Sequence, residues 1–129
     1  MEERDLEPVP GAQSPFSVPE GDPAVISGAG TLPRQGDEIT AYQARPAADG
    51  VYPAVLVCHE NRGLNPHIKD VARRFAKEGY LALAIDLLAR EGGTAAYDRD
   101  EVPGLLSSAG ADRHVADFTA GFAYLQALD

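Results

Sequence analysis

The chain has a single cysteine, Cys58, in 129 residues, so no internal disulfide can form, which agrees with a reducing compartment. Positive charge is scarce. Eleven Lys and Arg stand against 20 Asp and Glu, and the formal charge of −9 repels a phosphate backbone, which argues against nucleic acid as a partner. No apolar run approaches the roughly 18 residues of a membrane span. Met1-Glu2-Glu3-Arg4-Asp5 lacks the basic and apolar regions of a secretory signal. These absences lead to the expectation of a cytoplasmic chain that touches neither nucleic acid nor membrane. No internal repeat is found. What is present, 44% hydrophobic residues over the length of one domain, suffices for a globular core.

Residues 1–23 are rich in Pro, Glu, Asp and Gly and poor in large apolar side chains. Such a segment buries too little surface to offset its ordering entropy and reads as a flexible or surface-draped arm, leaving 24–129 as the folded unit. Two short strands are expected next. The first covers Val25 and Ile26 and stops at a turn through Gly28-Ala29-Gly30; the second runs from Glu38 to Ala44 and stops at Arg45-Pro46. Gln35-Gly36-Asp37 supplies turn chemistry between them, which predicts an antiparallel pair at a sheet edge.

Pro53-Ala54-Val55-Leu56-Val57-Cys58 is apolar throughout, the pattern of a strand covered on both faces by helices. It ends in His59-Glu60-Asn61-Arg62-Gly63, polar groups placed where open α/β sheets keep their ligand crevice. Asn65 can cap a helix with Pro66 at its first position. Ile68, Val71, Ala72, Phe75 and Ala76 then fall on one helical face, and Gly79 suits the left-handed residue after the helix. Tyr80 to Ile85 is a second apolar strand. Strand, helix and strand in that order predict a right-handed βαβ crossover and a parallel pair. Beyond Asp86 the spacing predicts a loop, a short helix near 98–107 and a last helix over 111–128 with Val115, Phe118, Phe122 and Leu125 as its buried stripe.

Three segments together, Val57 to Leu64, Ile68 to Ala76 and Glu78 to Arg90, resemble the dienelactone hydrolase family, a branch of the α/β-hydrolases. The resemblance runs from about Ile39 to the end and covers only about the first half of that family's domain. Ile85 departs from it, since relatives usually place Pro before the Asp. The resemblance implies a partial α/β-hydrolase fold: a mostly parallel sheet with an antiparallel amino-terminal edge pair and flanking helices. It also implies cofactor-free hydrolysis of carboxylic esters or lactones by a Cys or Ser nucleophile, a His base and an Asp orienting that His. The sequence has no nucleophile elbow: Ser14, Ser17, Ser27, Ser107 and Ser108 lack the flanking glycine spacing. A chain inactive alone is therefore expected. Matched residue by residue, Glu60 corresponds to a carboxylate that controls ionisation of the nucleophile, Asn61 to a backbone N–H of the oxyanion hole, and Arg90 to an arginine that holds a substrate carboxylate.

Plainer readings compete for several residues. Cys58 and His59 are adjacent on a strand and point to opposite faces, so they make a poor catalytic pair, and Cys58 is expected to be a buried structural residue. His59, His67 and Glu60 do not fit a metal-ligand spacing, so no metal is expected. His114 reads as a surface residue. Gly28-Ala29-Gly30 and Gly92-Gly93 read as turns rather than phosphate loops. A central strand without its outer neighbour would leave a bare sheet edge open to self-association or to a second chain. Three functional readings follow: an inactive part of an ester hydrolase, one chain of a two-chain hydrolase, or a non-catalytic domain that binds small anions or a partner.

Overall fold

The computed structural model describes residues 16–32 and 39–128. The turn at Gln35-Gly36-Asp37 and positions 1–15 of the amino-terminal arm lie outside the described residues. The elements are β1 (Val25–Leu32), β2 (Ile39–Pro46), β3 (Ala54–Val57), α1 (Pro66–Lys77), β4 (Leu81–Ile85), α2 (Val102–Ala109) and α3 (Ala111–Gln126), with two short 3-10 turns at Ala89–Glu91 and Thr94–Ala96. Among the described residues they form one four-stranded sheet in the order β1-β2-β4-β3.

β3 and β4 run parallel, with Ala54 opposite Leu81 and Val57 opposite Ala84, as a strand-helix-strand unit requires. β2 joins β4 antiparallel and β1 joins β2 antiparallel, so among the described residues parallel pairing is confined to the single βαβ unit held by residues 54–85. β3 is an edge strand hydrogen-bonded only to β4 among the described residues. The turn expected at Gly28-Ala29-Gly30 is instead strand: these residues pair with Gln43, Tyr42 and Ala41. Eight successive pairings along β2 outweigh the weak strand propensity of two glycines.

α1 forms where the sequence predicts, but Phe75 of the expected inner stripe is 38% exposed, edge-on to Tyr80, while Asp70 and Arg73 are buried. The Asn65 side chain accepts the Ile68 N–H at 3.0 Å, Pro66 opens the helix, and Gly79 follows it at φ 104°. Its inner face presents Ala72 and Ala76 to Ala44, Ala82 and Ala84 of the sheet, all at 0% exposure, with Ile68, Leu64 and Val57 completing that core. Methyl-sized groups on both sides let helix and sheet approach closely. The segment at residues 16–23 lies along this helix. The Val18 N–H donates to Asp70 Oδ1 at 2.7 Å, and its carbonyl accepts from Arg73 Nε; Arg73 also donates to the Tyr42 hydroxyl at 2.8 Å. Val18, Asp70 and Arg73 are all buried.

α3 covers the opposite face, over a core of Leu32, Ile39, Ala41, Leu83, Ile85 and Leu87. Its buried side is centred on Asp117 and Gly121, flanked by Phe118, Tyr124 and Leu125. This corrects the expected stripe: Val115 and Phe122 are 64% and 56% exposed. The helix is turned so that Gly121 meets the sheet. A Cβ there would run into Ile85 Cδ1, so the closest approach to the strand falls at the one residue without a side chain. Tyr124 reaches Gln43 on β2. The short helix starts at Val102, later than expected, after turns through 98–101.

Candidate active site

β3 and β4 end side by side, and the loops that follow them enclose a crevice of about 540 Å³. Its lining includes Glu60, Asn61, Gly63 and Leu64 after β3, Asn65, His67 and Lys69 at the start of α1, and Thr94, Tyr97 and Arg99 after β4. Two of the three residues carried over from the family resemblance, Glu60 and Asn61, thus meet in one cleft, and both are exposed to it. Arg90 does not line it. Its Nη2 donates to Asp117 Oδ1 of α3 at 2.7 Å, and Asp117 is 1% exposed.

The crevice is basic within an acidic chain. Arg62, Lys69 and Arg99 line it against the single carboxylate of Glu60. Arg62 is held in place by donating to the Arg99 carbonyl at 2.9 Å and lying 3.6 Å from Asp100. Lys69 sits over the Tyr42 ring at 5.6 Å, a cation–π contact that orients its stem.

The two loops are tied by the side chains of Asp86, Thr94 and His59, a linking role that the sequence pattern does not announce. Asp86, the last residue before the β4 loop, accepts the Leu88 N–H at 3.0 Å, the Thr94 N–H at 2.8 Å and the Thr94 hydroxyl at 2.7 Å. That hydroxyl accepts the Leu64 N–H at 3.0 Å and so links the β4 loop to the β3 loop. Gly63 is required at the junction: its φ of 75° is left-handed, and a Cβ would overlap Thr94 Oγ1. The second tie is His59, which is buried. Its Nε2 accepts the Leu87 N–H at 3.1 Å, and its Nδ1 lies 2.8 Å from the Glu60 carbonyl. Burial holds this imidazole below the usual histidine range, with smaller opposing influences that include the charge of Asp86. Leu87 is held from its other side as well, since Arg113 Nη2 donates to its carbonyl at 3.2 Å. The Arg113 guanidinium in turn grips Glu91 and keeps that carboxyl below its ordinary range. A Gly-Gly-Thr sequence after an apolar strand and Asp was the one available hint of the Asp86–Thr94 tie.

Cys58 is exposed, not buried as expected, because β3 ends at Val57 and lies at the sheet edge. Atoms around its sulfur still desolvate it enough to push the thiol up, which favours the weakly nucleophilic protonated form. His114 is half-buried rather than a surface residue, with Nε2 2.8 Å from the Leu106 carbonyl between α2 and α3. Among the described residues no group of three or more His, Cys, Asp or Glu side chains is arranged to hold a metal ion, and no helix is long and apolar enough to cross a membrane. A second hollow, of about 340 Å³, lies over the β1–β2 face below Tyr124, away from the strand ends and their polar groups.

Known proteins resemble this chain in sequence and in fold. A Salmonella typhi protein named as a carboxymethylenebutenolidase is 44% identical over 95 residues, spanning 73% of this chain and 34% of its own length. An Escherichia coli (strain K12) protein named as a hydrolase fragment, YghX, is 49% identical over 80 residues, covering 60% of this chain and 68% of that protein. A crystal structure from Klebsiella pneumoniae subsp. pneumoniae, named as that of a dienelactone hydrolase, superposes with a TM-score of 0.63 at 39% identity, over 79% of this chain and 42% of the other. The chain thus spans about a third of the length of the carboxymethylenebutenolidase relatives it matches. With the profile of the dienelactone hydrolase family matching residues 39–129, a hydrolase-type sheet and a strand-end crevice, this chain belongs to the dienelactone hydrolase family.

Proposed function

We propose that this chain forms the β3–β4 wall of an ester- or lactone-hydrolysing site. In this reading the Asn61 N–H is one oxyanion donor and Glu60 is the carboxylate that controls ionisation of the nucleophile. The observation that carries it is the crevice of about 540 Å³ at the parallel strand ends, which gathers both residues at the mouth of α1. The 129 residues contain no nucleophile elbow, so the attacking thiol or hydroxyl comes from outside them, in the same or a second polypeptide. The exposed β3 edge is the natural seat for that second part or for another copy of the chain. A cytoplasmic setting suits a chain whose only thiol is exposed and unpaired with another.

The substrate is a small ester or lactone that carries a carboxylate. Arg62, Lys69 and Arg99 already face the crevice. Arg90, the family's carboxylate holder, would take that role only by leaving the buried Asp117, and breaking such a pair costs about 3–5 kcal/mol. A non-catalytic anion-binding domain is the second reading, favoured by the same basic lining. Hydrolysis of p-nitrophenyl acetate by the isolated chain, with and without Cys58→Ala, tests the assignment. No thiol-dependent turnover is expected. Turnover abolished by the substitution would make Cys58 the nucleophile and overturn it. Titration with a carboxylate-bearing butenolide should move the Glu60 and Asn61 amide resonances, whereas a neutral lactone should not.

A further inference from the structure

His59 occupies a position that the proposed chemistry does not use. It is 6% exposed, at the junction of the two loops, and both ring nitrogens are engaged. The Leu87 N–H can only donate, so Nε2 must present its lone pair. The Glu60 carbonyl can only accept, so Nδ1 must carry the hydrogen. A single tautomer of the neutral ring satisfies both partners. The imidazolium would set a hydrogen on Nε2 against the Leu87 N–H, donor facing donor.

The second contact has a consequence one residue further on. The Glu60 carbonyl and the Asn61 N–H belong to one planar trans peptide and point in opposite directions. Fixing that carbonyl toward the ring therefore fixes the Asn61 N–H away from it. The same carbonyl also accepts the Gly63 N–H at 3.1 Å, so the peptide is held by the ring on one side and the turn on the other. The groups around the ring come from each neighbouring element. Asp86 at the end of β4 favours its protonation, His114 of α3 opposes it, and Arg113 of α3, gripped by Glu91, acts on the far side of Leu87.

We propose that His59 is a positioning residue: its neutral Nδ1–H tautomer ties the Glu60–Asn61 peptide at the end of β3 to the Leu87 N–H beyond β4, aiming the Asn61 N–H. Protonation at Nε2 breaks the Leu87 anchor while Nδ1–H still donates to the Glu60 carbonyl, so the ring and its peptide come free of the β4 loop. The functional meaning of that aim rests on the oxyanion role assigned to Asn61; the clamp itself does not.

The test is a pH titration of the ¹⁵N-labelled 129-residue chain by NMR, with the rings of His59, His67 and His114 assigned separately. At pH 7.5 the His59 ring should show Nδ1 protonated and Nε2 bare. As the pH falls, the Asn61, Gly63 and Leu87 amides should move with the His59 ring at one midpoint, below the 6.5 of a free imidazole. In His59→Asn, whose amide can still donate to the Glu60 carbonyl, the Asn61 amide should keep its neutral-pH position and lose that pH response. An Nε2–H tautomer at pH 7.5, or an Asn61 amide unmoved while His59 titrates, would overturn the clamp. Phenylphosphonate, a tetrahedral oxyanion, added at pH 7.5 separates the two ideas. A shift at Asn61 supports both, whereas co-titration without that shift upholds the clamp and removes the oxyanion assignment.

Discussion

The two faces of the sheet are finished to different degrees. Under α1 the contact is made by small residues at 0% exposure, and buried Val18, Asp70 and Arg73 tie the segment before β1 to the helix, with Arg73 donating to Tyr42 of the sheet. Under α3 the closest approach depends on one glycine, while Val115, Phe122 and Ile26 stay exposed around it. The α1 stripe closes its face except at Phe75, 38% exposed and edge-on to Tyr80, whereas the helix whose buried side is centred on Asp117 and Gly121 leaves Val115 and Phe122 at 64% and 56% exposed. The crevice lies with the closed side, at the mouth of α1, so the site is mounted on the better-packed part of the chain. Rigid mounting of a site is what positional chemistry requires.

Substitutions should separate the faces by size of effect. Asp70→Ala removes the acceptor of the buried Val18 N–H and the partner of Arg74, and should cost about 3–5 kcal/mol in urea unfolding. Gly121→Ala overpacks Ile85 and should cost about 1–3 kcal/mol. Because the α3 face is open, the helix can move outward, and the value should fall at the low end; a loss larger than that of Asp70→Ala would break the comparison. Thr94→Val strips the hydroxyl that joins Asp86 to the Leu64 N–H and should cost about 1–3 kcal/mol while disturbing the amide resonances of Gly63 and Leu64.

Acid should act through His59. Its folded pKa lies below the unfolded value, so the unfolded chain binds the proton more tightly and stability rises with pH. The contribution is fully present above about 6.5, the unfolded value, and is lost as the pH falls from there through the folded pKa. Thermal midpoints between pH 7.5 and 5 should fall more steeply for the wild type than for His59→Asn. The smallest effect is expected at Phe122. Phe122→Ser should stay within about 0.5 kcal/mol in stability, while sedimentation at high concentration should show less self-association than the wild type.

How much of this could be read from the sequence depended on the range of the forces involved. α1 was legible because its signals are local: Asn65 and Pro66 at the start, a 3.6-residue stripe, and Gly79 at the end. The parallel β3–β4 pair followed from that helix, and Glu60 and Asn61 followed from the strand end. β1 was cut short because Gly28 and Gly30 look like a turn until eight pairings with β2 are counted. The face of α3 differs from the one hydropathy predicts, since Phe122 and Val115 look like core while Gly121 is the residue that meets Ile85. His59 and Thr94 bridge loops 28 and 30 residues apart, to Leu87 and Leu64, and no local pattern announces such a partner. Arg90 was placed at the right strand end, but its direction was decided by Asp117, 27 residues away on another helix.

Native-state hydrogen exchange, read amide by amide, tests the contrast between the faces most directly. Amides of α1 and β4 should exchange only through global unfolding and share one opening free energy, while those of α3 should exchange at least tenfold faster through local opening. Equal protection of α3 and α1 in a monomer would contradict the account, because it would mean that the α3 face is as firmly closed as its opposite.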